Sequence, residues 1–222
     1  MSPAARPRGP GTEPAERIVA AAEDMVAAQG YTSTSIVAVA HRAGVATGSV
    51  YRHFPSKAEL FGEVFRRCAG RELAAVRRAV AAADGAVAQL TAIVDTFARR
   101  ALRGARLAWA LLAEPVDPEV DADRLAFRRA YRDTIHAVLR AGTATGELDL
   151  GSDTELVAAA LVGAIAEALV GPLSPITAGA VDPDRVVAEL TAAALRLAGA
   201  PPPGREPGVV AGPGHRPAGR RP

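Results

Sequence analysis

The chain has 222 residues, 49% apolar and 23% charged, with 26 basic and 24 acidic side chains. That size and balance suit one or two compact soluble domains, and no run of 18 or more uncharged apolar residues suggests a membrane span. A single cysteine, Cys68, excludes an intrachain disulfide, and the opening MSPAARPRGPGTEP lacks the apolar stretch of a secretory signal, so a cytoplasmic protein is expected. Alanine and leucine are abundant and aromatics scarce, a composition that favours helices.

In chain order, residues 1–13, rich in Pro, Gly and Arg, are expected to form a disordered arm. A first helix spans residues 14–29, with Ile18, Ala22, Met25 and Val26 as its apolar stripe and Gly30 as its C-terminal cap. A second spans 34–43, with Ile36, Val39, Ala40 and Ala43 on one face, followed by Gly44, where the chain must turn sharply. A third, short helix spans 47–54 and is closed by Pro55; Ser56-Lys57-Ala58-Glu59 is then a capping box that opens a fourth.

Two short helices joined by Gly44-Val45-Ala46, with the small Ala40 at their closest approach, make a helix-turn-helix. From Met25 to Ala58 there is no acidic residue, whereas Arg42, Arg52 and Lys57 supply three positive charges. Lys57 is the only lysine of the chain; the other 25 basic residues are arginines. With Val50 and Phe54 turned inward, Thr47, Gly48, Ser49 and Arg52 face solvent. Arg52 can pair with guanine O6 and N7, and Thr47 can meet a thymine methyl. Tyr51, His53 and Lys57 flank them toward phosphates, together with the free N–H groups at the helix starts around Thr34-Ser35 and Lys57. The expected partner of residues 14–70 is double-stranded DNA.

The stretch resembles the N-terminal domain of TetR-type (TetR/AcrR) transcriptional regulators. The likeness is carried by Gly30-Tyr31, Thr34-Ser35-Ile36, Val39-Ala40, Ala43-Gly44-Val45, Gly48, Val50-Tyr51, His53-Phe54, Ser56-Lys57 and Leu60. The resemblance implies an all-α protein of about nine helices. Its N-terminal three-helix domain would bind DNA, and its C-terminal helical domain would bind a ligand and dimerise. It further implies a homodimeric repressor on a pseudo-palindromic operator, released by an unknown small-molecule effector. Residues matching Thr34, Tyr51, His53 and Lys57 tend to contact phosphates in that family, and those matching Thr47, Ser49 and Arg52 tend to face bases.

Residues 71–199 form a larger helical unit carrying 14 basic and 17 acidic residues from Arg71 to Leu197, so the positive face is confined to the smaller unit. Helix 4 is expected to run to residue 82, and further helices to cover 86–103, 105–114, 118–145, 153–170 and 183–198. Under the family layout Phe65, Phe97, Trp109, Phe127 and Tyr131 are candidates to line a ligand pocket, and plain core packing accounts for each at least as well; Arg106 and His136 are candidates to bind an acidic or polar ligand group, against plain surface placement. The small, apolar helix over 153–170 offers Leu156, Ala160, Gly163, Ala164 and Glu167, and the last helix Leu190, Ala194 and Leu197, as a dimer interface. Residues 200–222 read as a disordered Pro/Gly/Arg-rich tail.

No motif points to catalysis, a cofactor or a metal. The acidic group Glu114, Asp117, Glu119, Asp121 and Asp123 lacks the glycine and closing glutamate of a calcium loop and opens a helix, where acids suit the dipole. The competing reading is a dimeric, small-molecule-binding or enzyme-like helical protein that does not act on DNA. The acid-free segment around the third helix speaks against it.

Overall fold

Nine α-helices and no strand occur among the residues that the computed structural model describes, 12–151, 153–177 and 181–202. The helices are α1 (Thr12–Gln29), α2 (Ile36–Ala43), α3 (Thr47–His53), α4 (Lys57–Ala81), α5 (Ala86–Arg103), α6 (Ala105–Leu112), α7 (Pro118–Thr145), α8 (Thr154–Leu173) and α9 (Pro183–Leu197). The expected terminal arm and tail lie outside the described residues except for their inner ends; α1 begins two residues inside the arm.

Local chemistry explains most helix ends. Ser35 lies outside α2 because its hydroxyl accepts from Ala38 N at 3.2 Å as the N-terminal cap. Gly44 takes a left-handed φ of 66°, and the N–H groups of Gly44 and Val45 return to His41 and Ala40 at 3.2 and 3.0 Å. Ser56 caps α4 by accepting from Glu59 N at 3.0 Å. The sixth helix ends two residues earlier than expected, because Ala113 N and Glu114 N both close on Trp109 O. Conversely, α8 runs past its expected end at residue 170 and takes Pro172 into its last turn.

Three clusters of buried side chains hold the helices together. Ile18, Ala22, Val39, Ala40, Val50, Leu60 and Val64 unite α1–α4 around the helix-turn-helix. Val26, Tyr31, Phe61, Phe65, Ala110 and Val120 bridge that unit to α6 and α7, with the Tyr31 and Phe61 rings edge to face at 4.6 Å. The largest cluster is centred on α5, which packs against α4, α7, α8 and α9. Helix α4 runs unbroken from the first cluster into the third, so residue 70 is no break in the chain.

Helix α8 is long and strongly apolar. Although Glu167 interrupts its apolar run, its best 18-residue window has a mean hydropathy of 2.1, and by length and composition the helix is able to cross a membrane. Only 28% of that window is buried within the chain. Val157, Leu161, Ile165 and Leu169 point into the core, while Leu156, Ala160, Gly163, Ala164 and Glu167 form an exposed, mostly small-residue face.

Candidate functional site

The third helix is anchored by one residue. Val50 is fully buried, whereas Tyr51, half exposed, and Arg52 point outward on the next positions. Gly48 is exposed, and Thr47, Ser49 and His53 are partly so. Arg52 has no ion-pair or hydrogen-bond partner among the described residues, leaving its guanidinium free for an external acceptor. Arg42 is different: Asp24, one residue before the acid-free segment, pairs with it at 2.9 Å and trims the positive face. Val37 is 65% exposed on the first turn of α2, an apolar contact point the sequence reading overlooked.

Two expected DNA contacts are used internally. Thr34 is a correction: it is buried, and its hydroxyl donates to Gly30 O at 2.7 Å, so its side chain cannot meet a phosphate. Lys57 Nζ donates to Tyr31 O at 3.1 Å and lies over the rings of Tyr31 and Phe61, 4.3 and 5.5 Å from their centroids. An ammonium has three N–H donors, so that seat leaves two for another acceptor. Ser35 is exposed but its hydroxyl is occupied as the α2 cap.

The loop between α1 and α2 is gripped from α6. Glu114, nearly fully buried, accepts from Tyr31 N at 3.0 Å and Thr32 N at 2.9 Å. Burial pushes the Glu114 carboxyl up, but those N–H donors and the neighbouring Arg106 outweigh it and hold the group below its ordinary range. At the other end of α6, Arg106 Nη2 donates to Gln29 O at 2.6 Å. The Tyr31 hydroxyl donates to Asp117, and burial with that carboxylate raises it well above the ordinary tyrosine range. Gly30, at φ 86°, lies so close that a Cβ there would stand 2.9 Å from the Glu114 carboxylate. From behind, Arg124 of α7 donates to the carbonyls of Ala110, Leu111 and Glu114 at 2.7–2.8 Å, closing the C-terminal end of α6.

The acidic group noted in the sequence is thus divided among separate tasks. Glu114 and Asp117 hold Tyr31, Asp121 pairs with Arg124 at 3.3 Å, and Asp123 pairs with Arg66 at 2.8 Å. Nothing in the sequence flagged Glu114 or Arg124 as parts of a joint between units; the one available signal was Gly30, whose missing side chain makes room for the carboxylate.

A cavity of about 170 Å³ lies among α4, α5, α6 and α7. Phe65, Phe97 and Phe127 line it as expected, with Leu107, Ala108 and Leu111 of α6 on one wall and Cys68 on another. Burial pushes the Cys68 thiol up to about 12, so it is a packing group rather than a nucleophile. Glu72 and Arg100, also in the lining, form a two-pronged ion pair at 2.5 and 2.7 Å. Three ligand candidates line neither this cavity nor the smaller chamber beside it. Arg106 turns to α1, Trp109 packs against the main core, and His136 meets Thr154 Oγ1 at 3.1 Å. Tyr131 lines a small adjoining chamber of about 30 Å³.

The sequence profile described as "Bacterial regulatory proteins, tetR family" matches residues 18–64. Over that stretch the chain is similar to the TetR family's N-terminal domain. Solved structures with the same architecture include the fatty acid degradation regulator FadR from Bacillus halodurans, 21% identical over 86% of this chain and 97% of that one, with a TM-score of 0.72. The FadR regulator from Bacillus subtilis, solved in complex with stearoyl-CoA, is 19% identical over 82% and 98%, also at 0.72. A tetR-family regulatory protein from Rhodococcus RHA1 is 25% identical over 85% and 98%, at 0.65. No curated protein matches the chain by sequence.

The matched stretch contains α2 and α3, the two helices of the helix-turn-helix. On the candidate dimer face, Leu156 is 68% exposed, and Ala160, Gly163, Ala164, Glu167 and Leu197 are exposed as well. Ala194 is a further correction: it is buried in the core of its own chain, because α9 turns Val187, Ala194 and Ala198 inward. Leu190 is half-buried against the same core.

Proposed function

We propose that the protein is a DNA-binding transcriptional regulator, a cytoplasmic homodimeric repressor that binds a pseudo-palindromic operator and leaves it when a small molecule fills the cavity. Residues 14–70 act as the DNA-binding unit and 71–199 as the effector-binding and dimerisation unit. In this reading Thr47, Gly48, Ser49 and Arg52 approach base edges in the major groove, with Arg52 the main reader of guanine. Tyr51, His53, the two remaining donors of Lys57 and the α2 start at Ser35 reach phosphates. The exposed faces of α8 and α9 pair with a second copy, and two identical reading heads then require matched half-sites.

The observation that carries the effector part is the double duty of α6. Leu107, Ala108 and Leu111 form a wall of the cavity. The same short helix holds the end of α1 through Arg106, and Glu114, two residues past its C-terminal end, holds the α1–α2 loop. A molecule that displaces the wall therefore moves the loop on which the helix-turn-helix is seated.

Fluorescence anisotropy tests the reading. The protein is titrated onto the DNA upstream of its own gene and onto a scrambled fragment of equal length, at physiological salt. Tight, selective binding at two protomers per site is expected, and its loss when a cavity ligand is added. Equal, weak, salt-sensitive binding to both fragments would overturn the operator assignment, and unchanged affinity at saturating ligand would overturn the α6 relay.

A further inference from the structure

Every polar atom of Tyr31 is engaged, and the partners come from two different parts of the protein. Its N–H donates to Glu114, just past the end of α6, at 3.0 Å. Its hydroxyl donates to Asp117, the residue before α7. Its carbonyl accepts from Lys57 Nζ and from Thr34 N, both at 3.1 Å. Tyr31 is buried, and its ring meets that of Phe61 edge to face at 4.6 Å. One residue thus joins the connection between α6 and α7 to the lysine that opens α4.

Asp117 marks this joint as a built one. It occupies the N-terminal cap position of α7, yet its side chain makes no bond to the helix. Asp153 and Asp182, at the same position of α8 and α9, accept from the N–H groups of Glu155 and Asp184. A capping bond stabilises a helix, and α7 forgoes it so that the carboxylate can hold the Tyr31 hydroxyl. The way Lys57 sits follows from that hold. Its Nζ stands 4.3 Å from the Tyr31 ring centroid and 5.5 Å from that of Phe61. A lysine ammonium on its long stem loses much side-chain entropy when it is fixed in one place. Here the carbonyl and the ring face fix it before any outside partner arrives, and two of its three N–H groups stay available. The bond to Asp117 keeps the ring from tilting away. It also enriches the ring face in negative charge, because a phenol that donates to a carboxylate takes on part of the phenolate character, and that attracts the cation more strongly.

We infer that Tyr31 is a positioning residue for DNA binding: Asp117 fixes its ring, the ring and carbonyl hold the Lys57 ammonium, and that ammonium meets a DNA phosphate with its two free N–H groups. A displacement of the α6–α7 connection is then felt at the phosphate as a loosened lysine. This inference rests on the proposal that the helix-turn-helix binds DNA, and it names the residue through which the larger unit adjusts that contact.

The charge of Asp117 gives the test a decisive sign. Removing an acid close to Lys57 should, by charge alone, tighten DNA binding. Asp117→Asn and Asp117→Ala remove the same charge, but only asparagine keeps an oxygen that can accept from the Tyr31 hydroxyl. Fluorescence anisotropy at one fixed salt concentration compares the two variants, each with and without Lys57→Ala, on the DNA upstream of the gene and on its scrambled counterpart. Asp117→Ala is expected to bind both fragments about two- to fivefold more weakly than Asp117→Asn, the value of an ammonium seated on an aromatic ring. Once Lys57→Ala is added, the two should bind alike. Equal binding by Asp117→Ala and Asp117→Asn while Lys57 is present, or a difference that persists without Lys57, would overturn the positioning role and leave the DNA-binding proposal standing. If the parent protein binds neither fragment even at low salt, that proposal falls, and this inference with it.

Discussion

Replacing Glu114 by alanine or glutamine tests the joint between α6 and the helix-turn-helix. The carboxylate accepts two backbone N–H groups from the α1–α2 loop, at 3.0 and 2.9 Å, from a nearly fully buried position. A hydrogen bond to a charged group contributes about 1.5–3 kcal/mol, and a buried N–H stripped of its acceptor costs about as much again. Glu114→Gln keeps one acceptor oxygen and sets an amide N–H₂ against the other N–H, so a loss of about 2 kcal/mol is expected. Glu114→Ala removes both acceptors and opens a path for water, which puts its loss at about 3–4 kcal/mol. In a chain of this size, 2 kcal/mol lowers the midpoint of thermal unfolding by about 4–8 °C. The carboxyl is held below its ordinary value in the folded chain, so its contribution is complete above the unfolded value of 4.5 and disappears as pH falls through the lower, folded one. The stability gap between wild type and Glu114→Gln should therefore narrow below pH 4.5. Urea denaturation at several pH values gives the free energies, and hydrogen exchange at Tyr31 and Thr32 localises the effect. Unchanged protection of those two amides in Glu114→Ala, or a stability change below about 0.5 kcal/mol, would refute the clamp.

Other predictions concern the two outer surfaces. Arg52→Ala should relax base preference at one position per half-site at a cost of about 1–3 kcal/mol, read by competition binding with single-base operator variants; a uniform loss over all sequences would place the guanidinium on the backbone instead. Lys57→Ala should lower the salt slope of DNA binding by about one unit and, because the ammonium is seated on Tyr31 and Phe61, also destabilise the folded protein by about 1 kcal/mol. A salt titration that leaves the slope unchanged while stability falls would make Lys57 purely structural. Gly163→Leu meets open space in the single chain, so it should leave the protomer folded yet keep two copies of α8 apart; a dimer persisting in sedimentation would assign the interface elsewhere.

Legibility in the sequence followed the range of the forces involved. The helices of the N-terminal unit could be read because caps and turns act over three or four residues: Ser35, Gly44 and Ser56 each end or begin a helix by a bond to a near neighbour. Phe65, Phe97 and Phe127 could be picked as lining residues because large aromatics of this helical unit have few places to go. Arg106 was misplaced because its partner, Gln29 O, lies 77 residues away in sequence, and nothing local reveals which way a long side chain turns. Thr34 failed for the opposite reason: its hydroxyl has an acceptor four residues back, and the inward bond prevailed. The Glu114 clamp spans more than 80 residues and uses backbone N–H groups, which leave no trace in side-chain pattern. Ala194 shows the limit of helical periodicity, since α9 has apolar residues on more than one side and only the fold decides which of them faces in.

The solitary lysine makes the chain its own spectroscopic reporter. Selective ¹⁵N or ¹³C labelling of lysine gives a single side-chain signal, and that signal belongs to an ammonium lying above two aromatic rings beside the helix-turn-helix. Ring currents displace it from the position of a solvated lysine for as long as the seat is occupied. Its frequency therefore tells, without any introduced probe, whether operator phosphates or a shift of the α1–α2 loop have drawn the ammonium away.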